Sequence, residues 1–100
     1  MRWVRRHWGE EDIWFYFELN AEGWVTRQVE LQGPNRVPIA AASLSEWFRE
    51  LDAGGIQQYQ ARFGGVADKP ITVDQLEDYE AIPVAAFEQL WREARTSLEI

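Results

Sequence analysis

The sequence predicts a small α+β domain, in which a three- or four-stranded antiparallel sheet carries two to four helices packed on one face. Two segments rich in aromatic and β-branched residues flank a turn between residues 12 and 31. Two later segments, which begin near Ser43 and Pro83, have apolar residues at helical spacing. The length of 100 residues corresponds to a single domain over residues 1–100. Strands followed by helices are typical of the α+β class.

The first two predicted strands, Ile13–Leu19 and Trp24–Leu31, form a β-hairpin. The turn sequence NAEG at residues 20–23 has Asn where a type I turn favours it and Gly where a bulge needs a left-handed residue. This turn places Asn20 opposite Trp24 and continues with Leu19 opposite Val25. The same register puts Phe17 opposite Arg27.

Alternation of side chains then divides the hairpin into two faces. The face with Ile13, Phe15, Phe17 and Leu19 is nearly all apolar and is predicted to be the core side, with Arg27 as its exception. The other face is mixed and carries the aromatic residues Trp14, Tyr16 and Trp24. Partial cover by other parts of the chain is the favoured interpretation of these three, and an exposed aromatic interface for binding or dimerisation is the alternative.

The remaining elements follow from local patterns. Residues 2–8 form a strand beside the hairpin, and Val37–Ala41 form an edge strand because Pro38 cannot donate to a ladder. Ser43 caps the first helix with Glu46 three residues later, and Pro83 begins the last one. The segment from Ile56 to Phe63 fits both a helix and a strand, and its Gln, Ala and Arg content favours a helix.

Composition limits the classes of function. The net charge is −7, although residues 1–9 carry Arg2, Arg5 and Arg6. Such a surface is unsuited to nucleic acid and better suited to a basic protein partner. The first residues lack the apolar core of a signal peptide, and no apolar run is long enough to cross a membrane. We therefore expect a cytoplasmic protein that does not bind membranes.

The sequence gives little support to catalysis. His7 is the only histidine and there is no cysteine, which excludes a site built from several of these residues. The serines lie in helix-cap or helix-end contexts, where local hydrogen bonding explains them. We therefore predict a protein that is not an enzyme and that needs no metal or cofactor.

The candidate partner-binding residues are acidic. They lie in the irregular segment between Val66 and Ile82, where recognition residues are often found, and they are Asp74, Glu77, Asp78 and Glu80. Thr72 is predicted to cap a short turn within this segment. The alternative interpretation of each acid is a solvated side chain that only aids solubility.

Two segments resemble a family of small uncharacterised bacterial domains. These have a Y-x-E-L-D-x-x-x-W-x-x-R-x-V-E hairpin and a C-terminal E-F-E-x-x-W helix, matched here at Glu18, Leu19, Trp24, Arg27, Val29, Glu30, Phe87, Glu88 and Trp91. The sequences VELQGP and PIAAASLSEW are similar to the actinobacterial branch. The resemblance implies a single cytoplasmic α+β domain with no established activity. Similar domains occur beside polymorphic toxins as immunity proteins.

These observations lead to one hypothesis and two alternatives. The hypothesis is a non-catalytic protein-binding module, of which an immunity-type inhibitor of a basic toxin is one form. The alternatives are a self-associating structural domain, which includes a homodimer, and a small-molecule-binding domain with an aromatic pocket. The sequence leaves open whether Arg27 is structural or part of a site.

Overall fold

The computed structural model describes residues 1–99 and has the predicted α+β class, with five strands in its sheet instead of three or four. The sheet is antiparallel, with strand order β4-β3-β2-β1-β5. The strands are β1 (Arg2–Trp8), β2 (Ile13–Leu19), β3 (Val25–Gln32), β4 (Val37–Ser43) and β5 (Glu80–Ala81). The helices are α1 (Leu44–Ala53), α2 (Ile56–Phe63) and α3 (Val84–Leu98), with a 3₁₀ turn at Gln75–Asp78. The segment Ile56–Phe63 is therefore helical, as its composition favoured.

The hairpin turn is confirmed, but the predicted register holds only next to the turn. Asn20 donates its backbone N–H to the carbonyl of Trp24 at 3.0 Å, and Leu19 lies opposite Val25. A bulge follows, so that Arg27 lies opposite Glu18 and not opposite Phe17. Thr26 is the extra residue, and its hydroxyl donates to the backbone carbonyl of Glu18 at 3.2 Å. One inserted residue shifts the pairing of the rest of the strand by one position.

The shift changes which side chains share a face. α3 packs on the face predicted to be mixed, where Phe87 and Ala94 meet Tyr16, Val29 and residues further along the sheet. The prediction that this face is not the core side was therefore wrong, because the bulge brings Val29 and Leu31 onto it.

The face predicted to be the core side is covered as well. Phe17, Leu19 and Val25 form a second buried cluster with Val4. Its cover is the irregular segment 66–79, which contributes Val66, Ile71, Leu76 and Tyr79. The sheet thus has a helix on one face and an irregular segment on the other, and each face carries a buried apolar cluster.

Side chains close the outer edge of β4, the edge strand that Pro38 predicted. Arg95 of α3 donates from Nε to the carbonyl of Ala41 at 2.8 Å. The N–H of Ser43 donates to the hydroxyl of Tyr59 in α2 at 2.8 Å. Polar edge groups that would otherwise be open to another strand are satisfied in this way.

The same network holds the three helices together. Ser43 caps α1 as predicted, because its hydroxyl accepts the N–H of Glu46 at 3.4 Å. The carboxylate of Glu46 does not complete the reciprocal bond of a capping box, since it accepts instead from Tyr59 at 2.7 Å and pairs with Arg95. One carboxylate of α1 therefore links α2 and α3 beside the sheet edge.

Candidate functional site

The four predicted partner-binding acids lie together, but they are not equivalent. Asp74, Glu77 and Asp78 are exposed in and beside the 3₁₀ turn, and within residues 1–99 they take part in no ion pair. Glu80 is in β5, where its carboxylate pairs with Arg5 at 2.8 Å. Three of the four carboxylates are thus free to attract a cationic partner.

The acidic turn is held in place by local hydrogen bonds. The hydroxyl of Thr72 accepts the N–H of Gln75 at 3.2 Å, and the side chain of Gln75 accepts the N–H of Thr72 at 2.9 Å. This reciprocal arrangement is a capping box, and it agrees with the prediction that Thr72 caps this turn. The exposed acids therefore project from a defined turn and not from an unstructured loop.

The three aromatic residues proposed as an interface do not form one exposed patch. Tyr16 is buried under α3. The guanidinium groups of Arg5 and Arg36 lie 4.5 Å and 5.1 Å from the ring centroid of Trp14. Trp24 alone is exposed, with 42% of its surface accessible. The favoured interpretation, that other parts of the chain cover these residues, therefore holds for Trp14 and Tyr16 but not for Trp24.

A different apolar surface surrounds Trp24. We name it the α1 groove, a depression of about 410 Å³ lined by Trp24, Val25, Leu44, Trp47, Phe48, Val66, Ala67 and Asp68. The side chain of Phe48 is 57% exposed, and no residue of α1 is buried. Exposed apolar residues that adjoin one another in this way mark interaction surfaces more often than scattered ones do.

The groove exists because α1 uses only part of its apolar stripe for packing. Trp47 makes an edge-to-face contact with Tyr59, with ring centroids 6.3 Å apart, and it lies close against Gly65. Phe48 and Leu51 follow Leu44 at helical spacing, and they remain more than half exposed. The spacing in the sequence predicted an apolar stripe correctly, but spacing does not distinguish packed residues from exposed ones.

Arg27 lies beside the α1 groove, and its contacts join parts of the fold. Its guanidinium pairs with Glu18 at 2.5 Å and also with Glu88 of α3. It lies over the rings of Phe87 and Trp91, at 5.0 Å and 5.2 Å from their centroids. The hydrogen bond to Glu18 raises the pKa of Arg27, so the cation is permanent. Arg27 therefore joins the hairpin to α3.

The side chains with potential for acid–base chemistry, His7 and Tyr59, already interact with carboxylates. The His7 ring lies 2.8 Å from a carboxylate oxygen of Asp12. Burial, together with the neighbouring carboxylate of Glu46, raises the pKa of Tyr59 to about 12, although the backbone of Ser43 opposes the shift. Among residues 1–99, no group of three His, Cys, Asp or Glu side chains is placed to hold a metal ion.

Comparison with known proteins gives no assignment. No protein-family model matches the chain, and neither curated proteins nor solved structures give a match. The described part of the chain contains no helix with the length and apolar character needed to cross a membrane.

Proposed function

We infer that this chain is a non-catalytic protein-binding module whose partner is a basic protein. The observation that carries the inference is the α1 groove, in which an amphipathic helix leaves Phe48 more than half exposed next to Trp24. Aromatic residues around a depression are typical of the energetically important centre of a protein interface.

Charge decides the kind of partner. The groove has Asp68 in its lining, and further along α1 Glu50 and Asp52 outnumber the base Arg49. The chain as a whole has a net charge of −7. A second copy of the same chain would bring like charges together, whereas a segment with apolar residues and flanking Lys or Arg would match both the groove and its surroundings.

The acidic turn adds long-range attraction. Asp74, Glu77 and Asp78 are exposed, so they contribute little to stability but contribute fully to the field outside the protein. We expect them to speed association with a basic partner more than they strengthen the final complex. An immunity-type inhibitor of a basic toxin is the most specific form of this proposal, and it is suggested by the resemblance to domains encoded beside toxins.

The experiment uses a photo-crosslinking amino acid at position 48 in the full chain, with position 84 as the matched control. Val84 is 46% exposed at the start of α3 and lies outside the groove lining. In lysate of the source organism, we expect a basic protein to crosslink at position 48 at low salt and not at position 84. Its crosslinking should be lost in the Trp24→Ser variant.

The purified partner then allows a kinetic test. Reversing the charges in Asp74→Lys, Glu77→Lys and Asp78→Lys together should slow association about tenfold or more and flatten its dependence on salt. Equal crosslinking at positions 48 and 84, or a captured partner that is acidic, would contradict the proposal. An unchanged association rate would remove the acidic turn from it.

A further inference from the structure

A second apolar depression lies beside the hairpin turn. We name it the hairpin pocket, a depression of about 210 Å³ whose lining includes the aliphatic side chains of Leu19, Ile71, Val73 and Leu76. Leu19, Ile71 and Leu76 belong to the apolar cluster on this face of the sheet. Val73 lies outside that cluster, and it is 79% exposed. The hairpin pocket is therefore an apolar surface that the described chain leaves open to solvent.

Val73 is held in position by the acidic turn. The N–H of Leu76 donates to the carbonyl of Val73 at 3.2 Å, and the capping box of Thr72 and Gln75 brackets Val73 in sequence. No other large apolar side chain within residues 1–99 is as exposed. A single exposed apolar residue is ordinary on a protein surface, but one that lines a depression with other apolar residues is typical of a contact site.

The hairpin pocket adjoins the α1 groove. Gly23 lines the pocket and Trp24 lines the groove, and the Cα atoms of consecutive residues are only about 3.8 Å apart. Asp68 of the groove and Ile71 of the pocket are three positions apart in the chain, so their Cα atoms are at most about 11 Å apart. The N–H of Ile71 donates to the carbonyl of Gly23 at 2.9 Å, which holds the two segments together. One extended segment of a partner can therefore reach both depressions.

The surroundings of both depressions are negatively charged. The charged residues that line them or lie in residues 66–78 are all exposed, and they comprise five acids and two bases, a net charge of −3. These residues are Glu22, Asp68, Asp74, Glu77 and Asp78, with Arg2 and Lys69. Within residues 1–99 none of them takes part in an ion pair. A basic segment matches this surface, whereas a second copy of the chain would bring like charges together.

We propose that one extended basic segment of the partner occupies both depressions, with a large apolar side chain in the α1 groove and an aliphatic side chain in the hairpin pocket. Side chains four residues apart in an extended segment point to the same side and lie about 13 Å from each other. The residues between them include Lys or Arg, which face the acids of this surface. The proposal rests on the proposed function, because it extends the same basic partner from the groove to the hairpin turn.

A double-mutant cycle tests the contact with Val73. Two peptides, acetyl-KFKGKVK-amide and acetyl-KFKGKSK-amide, differ only in the side chain intended for the hairpin pocket, and they are titrated into the ¹⁵N-labelled full chain at low salt. The protein variants are Val73→Ser and, as the matched control, Val84→Ser, which removes an exposed valine outside both linings. Because Val73 is mostly exposed, Val73→Ser should keep the fold, and its amide spectrum away from position 73 checks this.

The expected response distinguishes the two depressions. The valine peptide should shift the amide resonances of Val73 and Leu76 as well as those of Leu44 and Phe48, whereas the serine peptide should shift only the last two. Val73→Ser should weaken binding of the valine peptide about three- to fivefold, because apolar contact area is lost. Binding of the serine peptide should change by less than about twofold, and Val84→Ser should affect neither peptide.

Four results would overturn the proposal. The first is an equal effect of Val73→Ser on both peptides, including no effect on either. The second is a response to the valine peptide that is confined to the α1 groove, which would leave the proposed function intact. The third is binding of the acidic counterpart, acetyl-EFEGEVE-amide, as tightly as the valine peptide. The fourth is the absence of shifts in both depressions at millimolar peptide, in which case crosslinking at position 48 decides the proposed function independently.

Discussion

Two glutamates of the central hairpin have opposite electrostatic environments. Burial alone would raise the pKa of Glu18, but hydrogen bonds from Arg27, Thr26 and Trp3 outweigh it and lower the pKa to about 2. The distances to the donors on Thr26 and Trp3 are 2.7 Å and 3.0 Å. The folded state therefore favours the ionised form of Glu18.

The pKa of Glu30 is shifted in the opposite direction. Burial raises its pKa, and the hydrogen bond from Gln28, at 3.0 Å, only partly opposes the shift. Across the hairpin it lies opposite Phe15, and it pairs with Ala40 on the other side, so its neighbours in the sheet are apolar. The folded state therefore favours the neutral form of Glu30, and its ionisation lowers stability at neutral pH.

These environments predict opposite effects of two matched substitutions. A pKa that falls on folding adds stability above the ordinary value of 4.5, and this is lost as pH falls toward about 2. Glu18→Gln should therefore cost about 3 kcal/mol at pH 7 and converge with the unmodified protein in strong acid. A pKa that rises on folding has the reverse sign, so Glu30→Gln should stabilise at pH 7 and lose this advantage as pH falls through the raised pKa to the ordinary value.

Urea unfolding at a series of pH values measures both differences, because urea does not screen charge. Each variant serves as the control for the other, since both replace a hairpin carboxylate by the same amide. A Glu18→Gln difference that does not change with pH would show that its cost is one of packing and not of charge.

At the scale of elements, the hairpin turn holds the irregular segment that covers one sheet face. Gly23 has a φ of +86°, and its carbonyl accepts the N–H of Ile71 at 2.9 Å. A Cβ at this position would collide with the carbonyl oxygen of Ile71. Ile71 is part of the cover over Phe17 and Leu19. The turn is thus a tertiary contact point as well as a chain reversal.

A second glycine provides the control. Gly33 has a φ of +83°, and a Cβ there would meet no atom within 4 Å. Gly33→Ala should cost only the conformational penalty of a left-handed residue, about 1–2 kcal/mol. Gly23→Ala should cost more and should also speed exchange of the Ile71 amide. Equal losses of stability in urea unfolding, with unchanged exchange at Ile71, would contradict this role of the turn.

The elements other than β5 were predictable from local patterns, whereas the pairing between strands was not. The caps at Ser43 and Thr72 and the turn at Asn20 depend on neighbours in sequence, and their positions agree with the structure. At the bulge, the hydroxyl of Thr26 donates to the backbone carbonyl of Glu18. A sequence pattern contains no signal for that bond, and a one-residue shift is enough to exchange the faces of a strand.

At the scale of the molecule, sites formed by residues that are distant in sequence were also not predictable from local patterns. The acidic turn was identifiable because charged residues in an irregular segment are expected at the surface. The α1 groove was not, because its apolar stripe is the pattern of a packed helix. The cleft lined by Arg6, Trp8, Phe15 and Tyr79 was not predictable either, because it joins β1 and β2 to a residue distant in sequence. Surfaces made by several distant segments therefore need the fold before they can be recognised.

The two segments that cover the sheet, α3 and residues 66–79, differ in regular structure. This difference predicts which of them opens first when the protein begins to unfold. α3 is a continuous helix of 15 residues with Phe87 and Ala94 fully buried. The opposite cover, residues 66–79, has one 3₁₀ turn as its only regular element in the described structure, and Val73 in it is 79% exposed. Segments with few regular hydrogen bonds open at lower free energy than the core.

Native-state hydrogen exchange followed by mass spectrometry tests this order. Amides of β2 and β3, at the centre of the sheet, should exchange only by global unfolding, with those of α3 close to them. Amides of residues 66–79 should exchange earlier, through an opening that exposes Phe17 and leaves α3 in place. Such an opening would release the acidic turn and Tyr79 together without affecting the contacts of Arg27. Protection that is uniform along the chain would instead mean that both covers unfold with the sheet as one unit.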